Sequence, residues 1–343
     1  MKSDSPRILA IETSCDDTSV ACLEGMTVAS SVVSSQLDGA KFGGIVPELA
    51  SRAHQANIVH VVRRSLAEAS WEISQVDVVG VTYAPGLLGS LFVGLNFAKG
   101  LAYGRGIPMI GVHHLEGHVL APFLTDNPPT FPYIALVVSG GHTQLLMVRA
   151  IGSYELLGTT VDDAAGECYD KVARFLKLDP QGRSSMAGPM VDERASSGRA
   201  DAVDLPRPML SSPELNFSFS GLKTAVLNFI KGRSLNDLEV NDLCASFQEA
   251  VTDVLLHKTM KACQAFGVDR IVVTGGVAAN SRLRTAFADA ASRHGLALHI
   301  PPVAYCTDNA AMIGITAFFH WQRGEQSGLD LVPRATMVLD HKT

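Results

Sequence analysis

Two histidines, His114 and His118, stand four residues apart in the segment His113-His114-Leu115-Glu116-Gly117-His118. Residues four apart on a helix project from the same face, so both imidazoles could bind one metal ion. Glu116 lies roughly 200° around such a helix from the first histidine and points away from that face. This disagrees with the zinc-protease pattern H-E-x-x-H, in which the glutamate directly follows the first histidine. Taken alone, the pair is explained equally well as ordinary core or surface histidines.

A metal held by two histidines needs a third ligand, and Asp308 in Cys306-Thr307-Asp308-Asn309 is the best candidate. An apolar run typical of a helix follows this segment, so helix capping by Asp308 or Thr307 is the competing interpretation. On this segment alone capping is the favoured one. A His-His-Asp set would leave coordination positions open for water or substrate, which suits Fe2+ or Zn2+.

Three turns, at residues 12–18, 139–143 and 274–280, carry residues that could hold a phosphate. In the second and third, glycines let backbone N–H groups approach an anion, whereas the first would depend on its Thr and Ser hydroxyls. The sequence contains neither a Walker A motif nor G-x-G-x-x-G, which excludes P-loop and Rossmann sites. Three such turns at strand ends favour a nucleotide bound in a cleft between two subdomains.

Two further polar segments are less specific. Residues 162–171 include four carboxylates, which we interpret mainly as a solvated helix face, with Asp170 able to contact a ribose. Residues 217–224 alternate aromatic and hydroxyl side chains before a helix. They predict a plain strand-to-helix junction, with contact between Lys223 and a substrate as the alternative.

The elements that must position these residues repeat one pattern. A buried strand, a polar turn and a second apolar run fill residues 8–23 and return at residues 133–148. This indicates a duplicated fold, although chance similarity of two hydrophobic hairpins explains it equally well. Alternating strand and helix patterns elsewhere predict an α/β fold with mainly parallel pairing. The Pro-, Gly-, Ser- and Arg-rich residues 179–213 predict a long exposed loop.

The whole chain of 343 residues is longer than one hydrophobic core usually holds, which predicts two subdomains. A hydrophobic fraction of 47% excludes a disordered chain. The net charge of −6 argues against binding nucleic acid by bulk charge, so a nucleic-acid substrate would need a local basic patch or a partner. No apolar run is long enough to span a bilayer, and the six cysteines lack C-x-x-C spacing. We therefore expect a cytoplasmic protein with no membrane contact and reduced thiols.

Together these segments resemble the TsaD family, the transferases that form threonylcarbamoyladenosine in tRNA. The resemblance covers essentially the whole chain. The matching motifs are I-E-T-S-C-D-D-T at 11–18, G-G-I-V-P-E-L-A-S-R-A-H at 43–54, H-L-E-G-H at 114–118, V-S-G-G-H-T at 138–143, D-D-A-A-G-E at 162–167, F-S-F-S-G-L-K-T at 217–224, G-G-V-A-A-N at 275–280 and C-T-D-N at 306–309.

The resemblance implies a duplicated α/β fold of the actin/Hsp70/sugar-kinase (ASKHA) type, with a nucleotide cleft between its subdomains. We expect the first subdomain to contain residues 1–111 plus about 312–343, and residues 112–311 to form the second and carry most of the site. The resemblance implies one divalent metal per chain, Fe2+ as first choice and Zn2+ as the alternative, held by His114, His118 and Asp308. It also implies a threonylcarbamoyl-AMP site formed by Val137, Val138, Ser139, Gly140, Gly141, Asp170, Gly188, Asp192 and Asn280.

One segment departs from the family pattern. The family usually carries Tyr-Pro-Gly-Gly-Pro soon after the helix of Asp170, whereas this chain has a longer segment at 179–189. Gly188-Pro189 then aligns with the family's Gly-Pro, and Ala187 replaces the first glycine.

The implied reaction transfers the threonylcarbamoyl group from threonylcarbamoyl-AMP to an adenosine N6 amine, with release of AMP. The acceptor is the adenosine 3′ of the anticodon in tRNAs that read codons beginning with A. No residue identifies itself as the general base. The implied protein partners are a TsaB-like paralogous subunit and a TsaE-like ATPase. The alternatives are a metal-dependent endopeptidase, against which the position of Glu116 counts, and a nucleotide-binding scaffold without catalysis. A kinase gives the His-His-Asp set no role.

Overall fold

The computed structural model describes residues 5–35, 45–179 and 187–340. The chain forms two compact units, each with its own five-stranded sheet. The first unit comprises Met1–Pro128 and Asp308–Leu339, and the second comprises Pro129–Thr307 and Asp340–Thr343.

The strands and helices of the described residues are numbered in chain order. The strands are β1 Arg7–Glu12, β2 Thr18–Glu24, β3 Thr27–Ser34, β4 Val78–Ala84, β5 Met109–His113, β6 Tyr133–Val138, β7 Thr143–Ala150, β8 Ser153–Thr159, β9 Arg270–Thr274 and β10 Ala297–His299. The helices are α1 Pro47–Glu68, α2 Leu88–Arg105, α3 His114–Leu120, α4 Ala165–Phe175, α5 Gly188–Ala195, α6 Ser220–Ile230, α7 Asp237–Phe266, α8 Ser281–His294, α9 Val303–Cys306 and α10 Ala310–Gln322. Short 3-10 turns occupy Ile73–Gln75, Ala121–Leu124 and Gly276–Ala279.

The sheet of the first unit has the order β3-β2-β1-β4-β5. Its central strands are apolar on both faces, because helices cover both sides. Leu9 and Ile11 face a core shared with α1 and α2, whereas α10 packs on the opposite face, where Gly80 of β4 lies against Ala317.

The sheet of the second unit has the order β10-β9-β6-β7-β8, which is the same arrangement with β6 in the place of β1. Its core includes Leu136 and Leu145 of the hairpin and Phe247 and Val251 of the long helix α7. The predicted duplication is confirmed by these matching strand orders. The expectation of mainly parallel pairing is only half right, because both sheets are mixed. The strands β1-β2-β3 and β6-β7-β8 are antiparallel, whereas β1-β4-β5 and β6-β9-β10 are parallel. Two-residue turns join β2 to β3 and β7 to β8, and such short turns permit only antiparallel neighbours.

Three helices begin at asparagines that cap them. The side chains of Asn236, Asn280 and Asn309 each accept a hydrogen bond from the backbone N–H three residues later, at the starts of α7, α8 and α10. This satisfies an amide that has no partner inside the helix. Helices α8 and α10 both begin beside candidate site residues.

The division between the units differs from the predicted one. The sequence suggested boundaries at 111/112 and about 311/312, whereas the units divide at 128/129 and 307/308. The cause is the packing of α3 on α10, where a Cβ at Gly117 would lie 3.0 Å from Ile313 and 3.2 Å from Met312. His114 and His118 therefore belong to the first unit, together with Asp308.

The expected long loop at residues 179–213 is interrupted by α5. Pro189 stands in the first turn of this helix, where its missing N–H costs nothing, and Val191 and Ala195 are buried against the core of the second unit. Residues 180–186, most of the lengthened segment, lie outside the described residues. Among the described helices, none has the length and apolar character needed to cross a bilayer.

Candidate functional site

The predicted His-His-Asp set lies together in the first unit. Helix α3 begins at His114, directly after β5, and presents both histidines on one buried face. The Nε2 atoms of His114 and His118 lie 3.5 and 3.1 Å from Asp308 Oδ1. One ligand atom from each residue falls within 4.8 Å of the others. In the described part of the chain, this is the one group of three or more His, Cys, Asp or Glu side chains arranged to hold a metal ion.

Asp308 does not cap the helix that follows it. Asn309 is the N-cap of α10, and its Oδ1 accepts a hydrogen bond from the Met312 N–H at 2.9 Å. The capping interpretation of Asp308 and Thr307 is therefore wrong. Because the next residue does the capping, the Asp308 carboxylate turns towards the two histidines.

A buried carboxylate, Glu12 at the end of β1, holds His114 through its other nitrogen. Glu12 Oε2 lies 3.1 Å from His114 Nδ1, and Ser14 Oγ lies 3.1 Å from the same nitrogen. The Glu12 carboxylate also accepts hydrogen bonds from Thr82 Oγ1, at 2.5 Å, and from the Ser14 N–H. A carboxylate on the far nitrogen fixes the ring and makes it a better metal ligand. This role of Glu12 was not predicted from sequence, although a carboxylate that directly follows the apolar run of residues 8–11 is a signal for it.

The charges of this cluster are strongly coupled. Burial opposes a charge on His114, but the carboxylates of Asp308 and Glu12 outweigh it and raise its pKa to about 9. Burial acts against ionised Glu12 as well, yet pairing with His114 and the Thr82 hydrogen bond lower its pKa. Burial lowers the pKa of His118, a change only partly offset by the bond to Asp308. The site thus favours anionic carboxylates around a position that calls for positive charge.

These residues fit a divalent metal. Two imidazole nitrogens and one carboxylate oxygen form the 2-His-1-carboxylate donor set that binds Fe2+ and leaves open positions, and the same donors suit Zn2+. Both histidines contact Asp308 through Nε2. In His114 this is the nitrogen that Glu12 does not contact.

The turn at residues 12–18 does not offer its hydroxyls to a phosphate, contrary to the expectation from sequence. Thr13 Oγ1 donates to the Ser90 carbonyl at 2.9 Å, and Thr18 Oγ1 lies 2.7 Å from Nδ1 of the buried His54. The other His54 nitrogen lies 3.0 Å from the Cys15 carbonyl oxygen. The motif around His54 therefore supports the turn from which Glu12 and Ser14 reach His114.

The second unit contains a separate pocket of about 310 Å³. Five of the nine predicted substrate residues line it: Gly140, Asp170, Gly188, Asp192 and Asn280. Val137 and Val138 lie inside β6, and Ser139 and Gly141 stand in the turn that follows. None of these four is among its described lining residues. Tyr169, Val277 and Val303 add apolar surface.

Hydrogen bonds fix the polar side chains of this pocket. Asp170 Oδ1, on α4, accepts a hydrogen bond from the Gly188 N–H at 2.8 Å, and burial raises the pKa of Asp170. Both Asp192 oxygens accept hydrogen bonds from Ser281, one from its N–H and one from its hydroxyl. Asn280 caps α8 through Oδ1 and donates from Nδ2 to Gln248 Oε1 at 2.8 Å.

Glycines keep the backbone around this pocket open. Gly140 and Gly141 are exposed, and nothing lies within 4 Å of where their Cβ atoms would stand. Gly275 has a φ of +95°, and a Cβ there would collide with the Val138 carbonyl. The turn after β6 is thus left uncovered at Gly140 and Gly141, as an anion-binding turn requires.

A family model described as TsaD, tRNA N6-adenosine threonylcarbamoyltransferase, matches residues 27–315. The chain belongs to the TsaD family. Curated proteins named tRNA N6-adenosine threonylcarbamoyltransferase agree over nearly the full length. The protein of Geobacter sp. (strain M21) is 49% identical over 97% of this chain and 96% of that protein. The protein of Clostridium botulinum (strain 657) is 46% identical over 96% of this chain and 96% of that protein. The protein of Pelobacter propionicus is 49% identical over 97% of both chains.

Solved structures share the fold at low identity. Full-length HypF in its phosphate- and nucleotide-bound form superposes with a TM-score of 0.61 and 13% identity, over 94% of this chain and 56% of HypF. Component A of (R)-2-hydroxyglutaryl-CoA dehydratase from Acidaminococcus fermentans superposes with a TM-score of 0.54 and 15% identity, over 92% of this chain and 98% of that chain. The predicted ASKHA fold is confirmed by these likenesses.

Membership of the TsaD family makes the chain an enzyme, a transferase of tRNA modification. The scaffold without catalysis and the endopeptidase are therefore set aside. The geometry also argues against the endopeptidase, since Glu116 contacts His320 rather than the His-His-Asp group.

Two TsaD motifs, at 162–167 and 217–224, are joined to each other, and Gly166 of the first also lines the pocket. Asp162 accepts hydrogen bonds from the hydroxyls of Ser218 and Ser220, both at 2.6 Å. Asp163 pairs with Lys171 at 2.8 Å and Lys223 at 2.5 Å. The interpretation of the carboxylates at 162–171 as a solvated helix face needs correction at two of them. Asp162 is exposed, but it and Asp163 precede α4 and bind the residues at the start of α6. Lys223 has a structural partner in Asp163.

Proposed function

We propose that the chain transfers the threonylcarbamoyl group of threonylcarbamoyl-AMP to the N6 amine of the adenosine 3′ of the anticodon, in tRNAs that read codons beginning with A. AMP is the second product. The observation that carries this proposal is the convergence of His114, His118 and Asp308 in a member of the TsaD family.

The pocket of the second unit is the proposed donor site. The turn of Gly140, which lines the pocket, suits the phosphate, with Gly141 beside it in the same exposed turn. Asp170 and Asp192 keep unshared lone pairs that can accept from ribose hydroxyls. The apolar lining suits the adenine ring. Gly188 and Asn280 line the same pocket, and Val137, Val138 and Ser139 are proposed to support it from β6.

The first unit is the proposed metal site, with His114, His118 and Asp308 as ligands and Fe2+ as first choice over Zn2+. A divalent metal bound there supplies Lewis-acid stabilisation of negative charge. Glu12 and Ser14 hold the His114 ring so that its Nε2 points to the site.

The proposed reaction is an acyl transfer. The lone pair of the adenosine N6 attacks the carbamoyl carbon, and the bond from that carbon to the phosphate oxygen breaks. The electron pair of this bond leaves with AMP, and the amine loses one proton to a base that we do not assign to a residue. Backbone amides aimed at the phosphate stabilise the charge that develops on the leaving group.

Partners are part of the proposal. With a net charge of −6, the chain needs help to hold a polyanionic tRNA. A TsaB-like subunit and a TsaE-like ATPase are the proposed protein partners, and the cytoplasm is the proposed location.

The deciding experiment measures transfer of labelled threonine to tRNA in a reconstituted system that supplies threonylcarbamoyl-AMP, together with the metal content of each purified chain. The wild type is compared with Asp308→Ala and with Asp126→Ala, which removes an exposed carboxylate of the same unit. We expect label with wild type and Asp126→Ala, and loss of both label and metal with Asp308→Ala. Label with all three would remove Asp308 from the mechanism. No label with any of them, although the partners are active, would overturn the transferase proposal.

A further inference from the structure

Glu116 lies between the two candidate metal histidines in sequence but on another side of α3. Its side chain is 6% exposed, and its Oε2 lies 3.0 Å from Nε2 of His320. Its carboxylate therefore faces α10 and is not one of the three converging ligands. A buried carboxylate is costly unless it is paired, so this contact calls for a structural or functional reason.

His320 stands between two carboxylates. Its Nδ1 pairs with Glu325, which also pairs with Arg323 at 2.7 Å. Burial opposes a charge on the ring, but Glu116 and Glu325 outweigh it and raise the pKa of His320. The last turn of α10 is also where the helix dipole favours a cation. The contact to Glu116 is thus a largely buried contact that favours a charge on His320, not a weak surface contact.

The two helices joined by this pair carry all three candidate ligands. His114 and His118 lie on α3, and Asp308 lies two residues before the start of α10. Residue 320 is in the last turn of α10, which is about 20 Å long. Gly117 packs on Met312 and Ile313 near the first turn, and Glu116 binds His320 near the last. Helix α3 therefore contacts α10 near both ends of α10.

We propose that Glu116 and His320 are positioning residues of the metal site, which fix α3 along α10 and so set the separation of the histidines from Asp308. This inference rests on the proposed metal site. Glu116 and His320 touch neither metal nor substrate; they act through the placement of the ligands. A shift of α3 by a fraction of an ångström spoils a coordination geometry more than it spoils a fold.

The electrostatics dictate which variants are informative. Removing one partner of a buried pair leaves the other charge uncompensated, whereas neutralising both removes the penalty. Glu116→Gln and His320→Gln alone should each disturb the contact, and the double variant should be less impaired than the two single effects combined.

The test measures metal affinity directly. Purified chains are titrated with Co2+ in competition with a chelator, and the visible spectrum of bound Co2+ reports the coordination geometry. We expect both single variants to bind at least about tenfold more weakly than wild type, with an altered spectrum. Ser30→Ala is the matched control, because it breaks a buried hydrogen bond to Ser65 between β3 and α1 of the same unit. It should lower the melting temperature with affinity unchanged.

Glu325→Gln covers the case in which a single variant fails to fold. Glu325 is the more exposed partner of His320, 40% exposed, and its loss should weaken Co2+ binding less than loss of Glu116. The inference would be overturned if the folded variants bound Co2+ with wild-type affinity and spectrum; these variants are Glu116→Gln, His320→Gln and Glu325→Gln. An equal loss of affinity in Ser30→Ala would do the same, since it would reduce the effect to general stability. A wild type that binds no Co2+ would instead overturn the proposed metal site itself.

Discussion

Glu12 contacts the ring of His114 on the nitrogen that does not face Asp308. Glu12 stands at the end of a buried strand, and hydrogen bonds from Thr82 and the Ser14 N–H fix its two oxygens. Ligand basicity and orientation therefore depend on a residue that touches no metal.

Replacing Glu12 with Gln should lower metal affinity by about ten- to a hundredfold, because the ring loses its anionic partner while the shape of the side chain stays the same. Chelator competition on the purified chain measures this. Glu24→Gln, which removes a half-exposed carboxylate paired with Arg7 on the neighbouring strand, is the control. Equal affinities for all three chains would show that Glu12 only fills space.

At Asp170, removal of the carboxylate should affect the pocket of the second unit and spare the metal. Asp170→Ala loses the hydrogen bond to the Gly188 N–H and a candidate ribose acceptor. We expect about tenfold weaker AMP binding by calorimetry, with unchanged metal content. Glu167→Ala, on the same helix and paired with Lys171, should bind AMP like the wild type. Loss of metal in Asp170→Ala would contradict this separation.

At the scale of elements, the turn after β9 depends on a single glycine. Gly275→Ala forces a side chain into a φ of +95° and against the Val138 carbonyl, which should cost about 3 kcal/mol of unfolding free energy. Gly276→Ala next to it meets no atom within 4 Å and should be nearly neutral. Denaturant unfolding measures both. A Gly275→Ala chain as stable as Gly276→Ala would mean that the backbone can rearrange there.

The hairpins and several helices were predictable because their signals are local. Apolar runs such as Ile8 to Ile11 and Tyr133 to Val138 are bounded by polar turns, and each became a strand. Helix α5 was missed because its buried contacts, through Val191 and Ala195, are made with distant helices. Its flanking Pro, Gly and Ser residues resemble a loop until that packing is known. The bond of Glu12 to His114 was invisible for the same reason, since it joins residues 102 positions apart.

At the scale of the whole molecule, the metal candidates belong to one unit and the pocket to the other. The sequence predicted both sets of residues but assigned the histidines to the second unit. The sequence of a seven-residue helix does not show which sheet it packs beside. Here the fit of Gly117 on Met312 and Ile313, together with the contact of Glu116 to His320, places α3 in the first unit.

This division predicts separable responses to ligands in hydrogen-exchange mass spectrometry. Metal should slow exchange in α3 and the first turns of α10, and AMP should slow exchange in α5 and residues 276–280. At a hundred times the dissociation constant, either ligand adds about 2.7 kcal/mol to the stability of the unit that binds it. Strand β3 serves as the reference, with little change expected. Protection of α3 by AMP, with none at α5, would contradict the assignment of the pocket.

The turns that follow β1 and β6 occupy the same place in a repeated scaffold yet have opposite properties. The first is buried, with its hydroxyls bonded inside the protein, and the second exposes two glycines. In a chain built from two copies of one fold, each structural position occurs twice. The residues at a position in one copy can therefore change while the equivalent residues of the other copy keep their function. On the proposed assignment of the two sites, cation affinity and anion affinity are independent traits, open to separate selection and to separate engineering.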